Sequence, residues 1–298
     1  MSRPVLGVLA AALAALPFKI PVAHIGGGDL TQGAIDDALR HSMTKLSHLH
    51  FVSTEASARR VIQLGENPEK VMVTGEPALE EILSTPQLAP EVLKKSFGID
   101  VQRPFLLVTF HPVTLEYEQM QSQMKELLAA LDESQFSVIF TMPNADTAGR
   151  IIAAEMRRWI EANPDKGIMV QNLGPDGYHS VLRRAVAVVG NSSSGLIEAP
   201  SFKVPTVNIG IRQMGRIRAA SVIDVACERG EILAAIQRAA SEEFRQSLQS
   251  LVNPYAGKSA VAIITDVLKR VEVGCSLVQK RFRDQDESNE TLPNINPT

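Results

Sequence analysis

VVGNSSSGLIEAP, Val188 to Pro200, is the stretch from which the fold of this chain can be read. A β-branched apolar run breaks into a glycine, an asparagine and three serines, then resumes with helical spacing and a glutamate, Glu198. That is the pattern of a strand handing over to a helix across a short polar loop. In open α/β sheets, ligands sit at such hand-overs, beyond the carboxyl ends of the strands. Gly190 permits a tight turn. Ser192, Ser193 and Ser194 bring hydroxyl and backbone N–H donors, and a helix start near Gly195 favours an anion. Phosphate fits that cradle, with Glu198 placed to accept hydrogen bonds from sugar hydroxyls. Ordinary N-capping by the serines is the competing reading.

Outward from this point the same unit repeats. Short β-rich runs fall at Ile20–Ile25, His50–Val52, Lys70–Val73, Phe105–Phe110, Phe136–Thr141, Ile168–Val170, Ala185–Val189 and Thr206–Ile209. Segments with helical spacing lie between most of them, among them Ala34–Leu46, Ala56–Leu64, Glu116–Leu131 and Thr147–Glu161. Strands that are apolar throughout and alternate with helices predict parallel sheets buried on both faces and wound with crossover helices, an α/β fold. LSTPQLAP, Leu83–Pro90, has two prolines and little periodicity and predicts an interdomain linker. The expected organisation is an N-terminal domain over 1–86, a C-terminal domain over 87–280 and a polar disordered tail over 281–298.

Composition fits this and narrows the function. The 298 residues are 45% hydrophobic and 21% charged, enough for two domains at roughly 100–200 residues each. With 30 basic against 33 acidic residues the net charge is −3, so no electrostatic footprint for nucleic acid exists. Two distant cysteines, Cys227 and Cys275, make no disulfide framework and fit a cytoplasmic protein. The apolar run Val5–Leu16 behind Arg3 has two readings, a signal-peptide core or a helix of the fold. It is too short to cross a membrane, which takes about 20 residues. Lys19 leads directly into the strand pattern IPVAHI, so the expectation is a core helix feeding a strand, with no membrane partner.

Three further loops follow strands in the second half: HPVTLE from His111, TMPNAD around Asn144, and the segment carrying Arg212 and Arg216. Polar donors at several strand ends suit a nucleotide or nucleotide-sugar, and arginine suits a diphosphate. The first half carries HIGGGDLTQGAIDDALRH, His24–His41, with Asp29, Asp36 and Asp37 near a flexible glycine loop. Those carboxylates either cap a helix or transfer protons. His48 and His50 have no third ligand at metal spacing, so no zinc site is expected.

The string from His24 to Glu66, together with VTFHPVTLE, TMPNAD, VVGNSSSGLIEAPSFKVPTVNIGIRQMGR and NPYAGK, resembles the hydrolysing UDP-N-acetylglucosamine 2-epimerases of sialic acid and related pathways. The similarity extends from about Val5 to about Phe282. It implies two Rossmann-like domains arranged as in the GT-B glycosyltransferases, with the active site between them. It also implies elimination of UDP from C1 as a proton leaves C2, then addition of water to the glycal to release a sugar with inverted C2. No cofactor or metal is required by that chemistry. The resemblance assigns UDP to His111, Asn144, Leu173, Ser192, Ser193, Glu198 and Arg212, and proton transfer to Asp29, Asp36 and Asp37, with His111 near the departing diphosphate. A homodimer or tetramer is the implied assembly.

The chain also departs from that family. A first strand with a glycine–threonine–arginine loop and a later Gly-Asp-Arg element are absent ahead of LAAALAAL, so the expectation is an incomplete N-terminal domain, an unpaired sheet edge and reduced solubility. Where some relatives place a glutamate this chain has Gly26, which leaves that role to Asp29. The GGGD pattern leaves the substrate open between UDP-N-acetylglucosamine and a bacillosamine-type UDP-sugar. A GT-B-like UDP-sugar glycosyltransferase and a UDP-sugar-binding module without turnover are the alternatives.

Overall fold

A computed structural model of the chain describes residues 3–113, 115–143, 147–257 and 259–284. Among the described residues nine strands form two sheets. The smaller holds β1 (Ala23–Ile25), β2 (Leu49–Val52) and β3 (Val71–Val73) in that order, and both pairings are parallel. The larger holds β4 (Phe105–Thr109), β5 (Ser137–Thr141), β6 (Gly167–Val170), β7 (Ala187–Gly190), β8 (Thr206–Ile209) and β9 (Val222–Val225). Its order is β6-β5-β4-β7-β8-β9, again with every pairing parallel. The chain runs outward from β4 to one edge, then returns and runs from β7 to the other. The reversal between β4 and β7 is a topological switch point, the place where open α/β sheets bind ligands beyond the carboxyl ends of their strands.

Alternate residues of β4 explain why the larger sheet is apolar throughout. Leu106 and Val108 join one core with Phe140, Val189 and the helices Met120–Glu133, Thr147–Ala162 and Arg229–Ala240. Phe105 and Leu107 join another on the opposite face with Leu93, Leu182 and Val204. All eight expected strands are present within a few residues of their predicted bounds.

The smaller sheet is covered differently. Val52 packs on Val61 of the helix Glu55–Gln63, while Leu49 and Phe51 pack on Ile264 and Leu277. Those two belong to the helices Ala260–Arg270 and Cys275–Val278, so the end of the chain returns to the first sheet. Lys280 fastens it there. Its ammonium lies 2.8 Å from Glu66 and donates to the carbonyls of Thr44, Lys45 and Ser47. Beyond it, Arg283 N donates to the Gly65 carbonyl and the Phe282 ring stacks under Lys45. Arg281–Asp284 is therefore a fastened segment and not the start of a tail, and 285–298 lies outside the described residues.

Two expectations need correction. The helix Arg3–Ala15 forms, but it is not a core helix: Val8 and Leu13 are 52% and 51% exposed, and from Leu6 to Leu16 only Ala12 is buried. It packs on one side only, against the helix Asp36–Leu46. The expected linker is short and fastened. Leu83 and Ser84 finish the helix Ala78–Ser84, and Pro90 already opens the next helix. Between them Leu88 donates from its amide to Ser180 Oγ at 2.8 Å and accepts from Arg184.

Candidate functional site

Gly190 ends β7 directly beside Thr109 of β4, its register partner. Its φ of +132° is open mainly to glycine, and a side-chain carbon there would meet the Thr109 carbonyl. That close approach delivers Asn191, which is fully buried, to the switch point. Asn191 clasps three loops together. Its amide nitrogen donates to the Thr109 carbonyl, and its side chain pairs with the backbone of His111 in both directions, at 2.7 and 2.8 Å. Its carbonyl accepts from Arg212 Nη1 at 3.0 Å and from Gln213 Nε2 at 2.9 Å. His111, Ser192 and Arg212, from three separate strand ends, thus converge on one residue. Burial and the Arg212 charge hold the His111 imidazole at about 3, down from 6.5, so it is neutral at pH 7.

Ser192 is the N-cap of the helix Ser193–Ile197 and accepts from Ser194 N, so the capping reading of the serines holds for Ser192. Ser193 is half-buried in the first turn. Glu198 caps the other end, and its Oε2 accepts from Ser194 Oγ at 3.1 Å and lies 3.4 Å from His179 Nε2. Leu173, 8% exposed, precedes the helix Gly174–Leu182 and packs in the core beneath the site. Asn144 lies outside the described residues.

The acidic loop between β1 and the helix Asp36–Leu46 lies directly on the arginine loop that follows β8. Gln32 N donates to the Met214 carbonyl at 3.1 Å, and Gly33 packs so closely on Ile211 and Arg212 that a side chain would collide with their backbone. Asp29, 8% exposed, accepts on Oδ1 from Ser53 and Ser57 at 2.9 and 2.7 Å. Its Oδ2 lies 3.7 Å from Arg216 Nη1. Asp37 accepts from Thr31 N and lies 3.5 Å from His41 Nε2, while Asp36 is half-buried beside it in the first helical turn. Arg40 ties the loop from below, donating to the Asp29 carbonyl at 3.0 Å and to Thr31 Oγ1 at 2.9 Å. A crevice of about 550 Å³ is lined by Ser53, Arg59, Gly75, Ile217 and Pro254 among others. None of the residues expected to hold UDP lines it.

Several residues of this site escape sequence reasoning. Asn191 reads as an ordinary loop asparagine, and no motif singles out Tyr178 or His179. Arg216 is visible as a strand-end arginine, but not its pairing with Asp29 or its buried Nε and Nη1, which lack hydrogen-bond partners. Glu76 follows β3. Burial chiefly, then the charges of Asp29 and Glu198, raise its pKa, against Arg216. Among the described residues, no cluster of three or more His, Cys, Asp or Glu could hold a metal ion, and no helix is long and apolar enough to cross a membrane. Both cysteines are free.

Two parallel sheets, with the carboxyl-end loops of the larger meeting an acidic loop from the smaller, define a GT-B-like protein of two Rossmann-like units. The chain belongs to the UDP-N-acetylglucosamine 2-epimerase family, whose sequence profile matches residues 6–269. It is 40% identical over 241 residues to the GDP/UDP-N,N′-diacetylbacillosamine 2-epimerase (hydrolyzing) of Campylobacter jejuni, covering 80% of this chain and 62% of that one. It is 38% identical over 268 residues to the polysialic acid biosynthesis protein P7 of Escherichia coli, covering 88% and 68%. The fold matches the Neisseria meningitidis UDP-GlcNAc 2-epimerase bound to UDP-GlcNAc with a TM-score of 0.73 at 20% identity, over 88% of this chain and 73% of that one. A Staphylococcus aureus MnaA–UDP structure matches at 0.71 and 19%, over 88% and 70%. The chain therefore spans about three-fifths of the length of the C. jejuni relative.

Proposed function

We propose that the protein is a hydrolysing UDP-sugar 2-epimerase whose site lies where the acidic loop meets the nucleotide loops. The observation that carries this reading is the contact itself. Gln32 bonds to Met214, and Asp29 sits 3.7 Å from Arg216, so carboxylates from one unit lie against the cations of the other. The family membership and the C. jejuni relative's name support the same activity.

In this reading Ser192, Ser193 and Arg212 hold the diphosphate, and Asn144 and Leu173 line the nucleotide pocket. Glu198 accepts the ribose hydroxyls. Neutral His111 donates a hydrogen bond to the departing diphosphate without adding charge, and Arg212 supplies the charge. One carboxylate of the set Asp29, Asp36 and Asp37 takes the C2 proton as the C1–O bond breaks, and UDP leaves with that bond's electron pair. Water then adds across the glycal, its hydroxyl to C1 and a proton to the opposite face of C2, which releases a free sugar with inverted C2. The 40% identity favours a diacetamido sugar over N-acetylglucosamine as the sugar unit. We carry with this proposal a cytoplasmic location, a homodimer or tetramer, and a two-domain division near residue 86. Residues 260–283 count with the first domain because of their packing on its sheet.

A phosphorus NMR time course with UDP-N,N′-diacetylbacillosamine, and in parallel with UDP-N-acetylglucosamine, tests the proposal. Diphosphodiester signals giving way to UDP, with a C2-inverted free sugar, are expected. Release of UDP only when an acceptor is added would replace the reading with a glycosyltransferase. Line broadening without conversion would leave a binding module, a second reading that the full engagement of Asp29 by Ser53, Ser57 and Arg216 favours.

A further inference from the structure

Behind Glu198 runs a chain of hydroxyls. Thr141 Oγ1 lies 2.6 Å from Thr109 Oγ1, beside the Tyr178 phenol. Tyr178 Oη lies 2.6 Å from Ser194 Oγ, which donates to Glu198 Oε2 at 3.1 Å. A hydroxyl has one proton to give, and a carboxylate only accepts. The last bond therefore fixes the one before it. Ser194 gives its proton to Glu198, so Tyr178 gives to Ser194. Burial, with the Glu198 charge, raises the pKa of the Tyr178 phenol, so it stays a donor. His179 Nε2 approaches the same carboxylate oxygen at 3.4 Å.

Ser194 Oγ and His179 Nε2 both meet Oε2, and among the described residues no donor reaches Oε1. The side chain of Glu198 is 25% exposed, so the second oxygen has access to a ligand. Thr109 belongs to two structures at once, because its carbonyl also accepts from Asn191 N in the diphosphate clasp.

We propose that Ser194 and Tyr178 are positioning residues for ribose recognition: the directed relay holds Glu198 by Oε2 and presents Oε1 to the vicinal hydroxyls of a ribonucleotide. The inference rests on the UDP-sugar reading of this site. It gives the third serine of the SSS run a task distinct from phosphate binding, and it gives the Tyr178 hydroxyl a task distinct from that of its ring. Bonds in such a chain polarise one another, so removing one member weakens those downstream.

The test is calorimetric titration of the full chain with UDP and with 2′-deoxy-UDP, for wild type, Ser194→Ala, Tyr178→Phe and Glu198→Gln. Wild type should prefer UDP by about tenfold, the value of one hydrogen bond to a charged acceptor. Ser194→Ala should bring that ratio within about threefold by weakening UDP while leaving 2′-deoxy-UDP nearly unchanged. Tyr178→Phe keeps the ring and should move the ratio the same way by less, and unaltered thermal midpoints establish that the variants fold. Both variants keeping the wild-type ratio would overturn the proposal, as would an equal loss for the two ligands. Wild type binding UDP without preferring it would remove the ribose role and leave the nucleotide site standing. Absence of UDP binding by wild type would refute the UDP-sugar reading itself and this inference with it.

Discussion

The two loops that meet at the site are built in opposite ways. The strand-end loops of the larger unit grow from the switch point of a six-stranded sheet, and Asn191 locks three of them through bonds made largely to backbone. The acidic loop grows from β1, an edge strand of a three-stranded sheet, and is held by side chains of its neighbours. The proposed binding surface is thus part of the fold, whereas the carboxylates proposed to transfer protons are suspended from it. Affinity and turnover should accordingly respond to different substitutions. The largest effect is expected at Gly190→Ala, where the Thr109 carbonyl leaves no room and the backbone has φ +132°. A loss of about 3 kcal/mol or more is expected in urea unfolding, with UDP binding abolished. A variant of near-wild-type stability would mean that the clasp is adaptable and the contrast false.

Asp29→Asn should act on the other side of the comparison. The amide keeps the shape and can still accept from Ser53 and Ser57, but it loses the charge facing Arg216. Turnover should fall about a hundredfold or more while UDP affinity stays within about twofold. Equal losses in both would merge the two loops into a single binding surface.

The smaller sheet depends on charge where the larger depends on packing. Glu66, 4% exposed by its side chain, pairs with Lys45 and Lys280 at 2.7 and 2.8 Å and with His50 at 3.0 Å. Its pKa is lowered from 4.5 to about 2 because these hydrogen bonds and charges outweigh the burial that would raise it. A depressed carboxyl contributes stability that is present above 4.5 and lost as pH falls toward 2. The shift corresponds to about 3 kcal/mol. Glu66→Gln should therefore flatten the stability profile between pH 4.5 and 2, and should release the 275–283 segment to proteolysis first. An unchanged acid slope would place the C-terminal fastening elsewhere.

How much of this was legible in the sequence follows from the same physics. The larger sheet was legible because strands buried on both faces are written as continuous apolar runs such as FLLVT. Strand β9 was missed because it is an edge strand of four residues with Asp224 turned outward. The Val188–Pro200 motif was legible as a loop, but its centre was not, since Asn191 differs from a common turn residue only through partners 21 to 82 positions away. The return of residues 260–283 to the first sheet was invisible for the same reason. No local pattern announces that Lys280 will reach Glu66.

The smallest effect sharpens the contrast at the margin of the first unit. LAAALAAL reads as core because every residue is apolar, yet a helix needs a partner on each apolar face to be buried. Here the helix Arg3–Ala15 rests on the helix Asp36–Leu46 and leaves Leu13 51% exposed. Leu13→Lys should change stability by about 0.5 kcal/mol or less, as surface substitutions do. Leu131→Ala, fully buried in the larger unit, should cost about 3 kcal/mol. Equilibrium unfolding of the two variants side by side makes the comparison. A loss at Leu13 approaching that at Leu131 would mean that in solution something covers this face, and the first unit would then be organised like the second. A difference of several-fold would establish that the apolar run is a rim whose hydrophobicity is not used for stability by this chain alone.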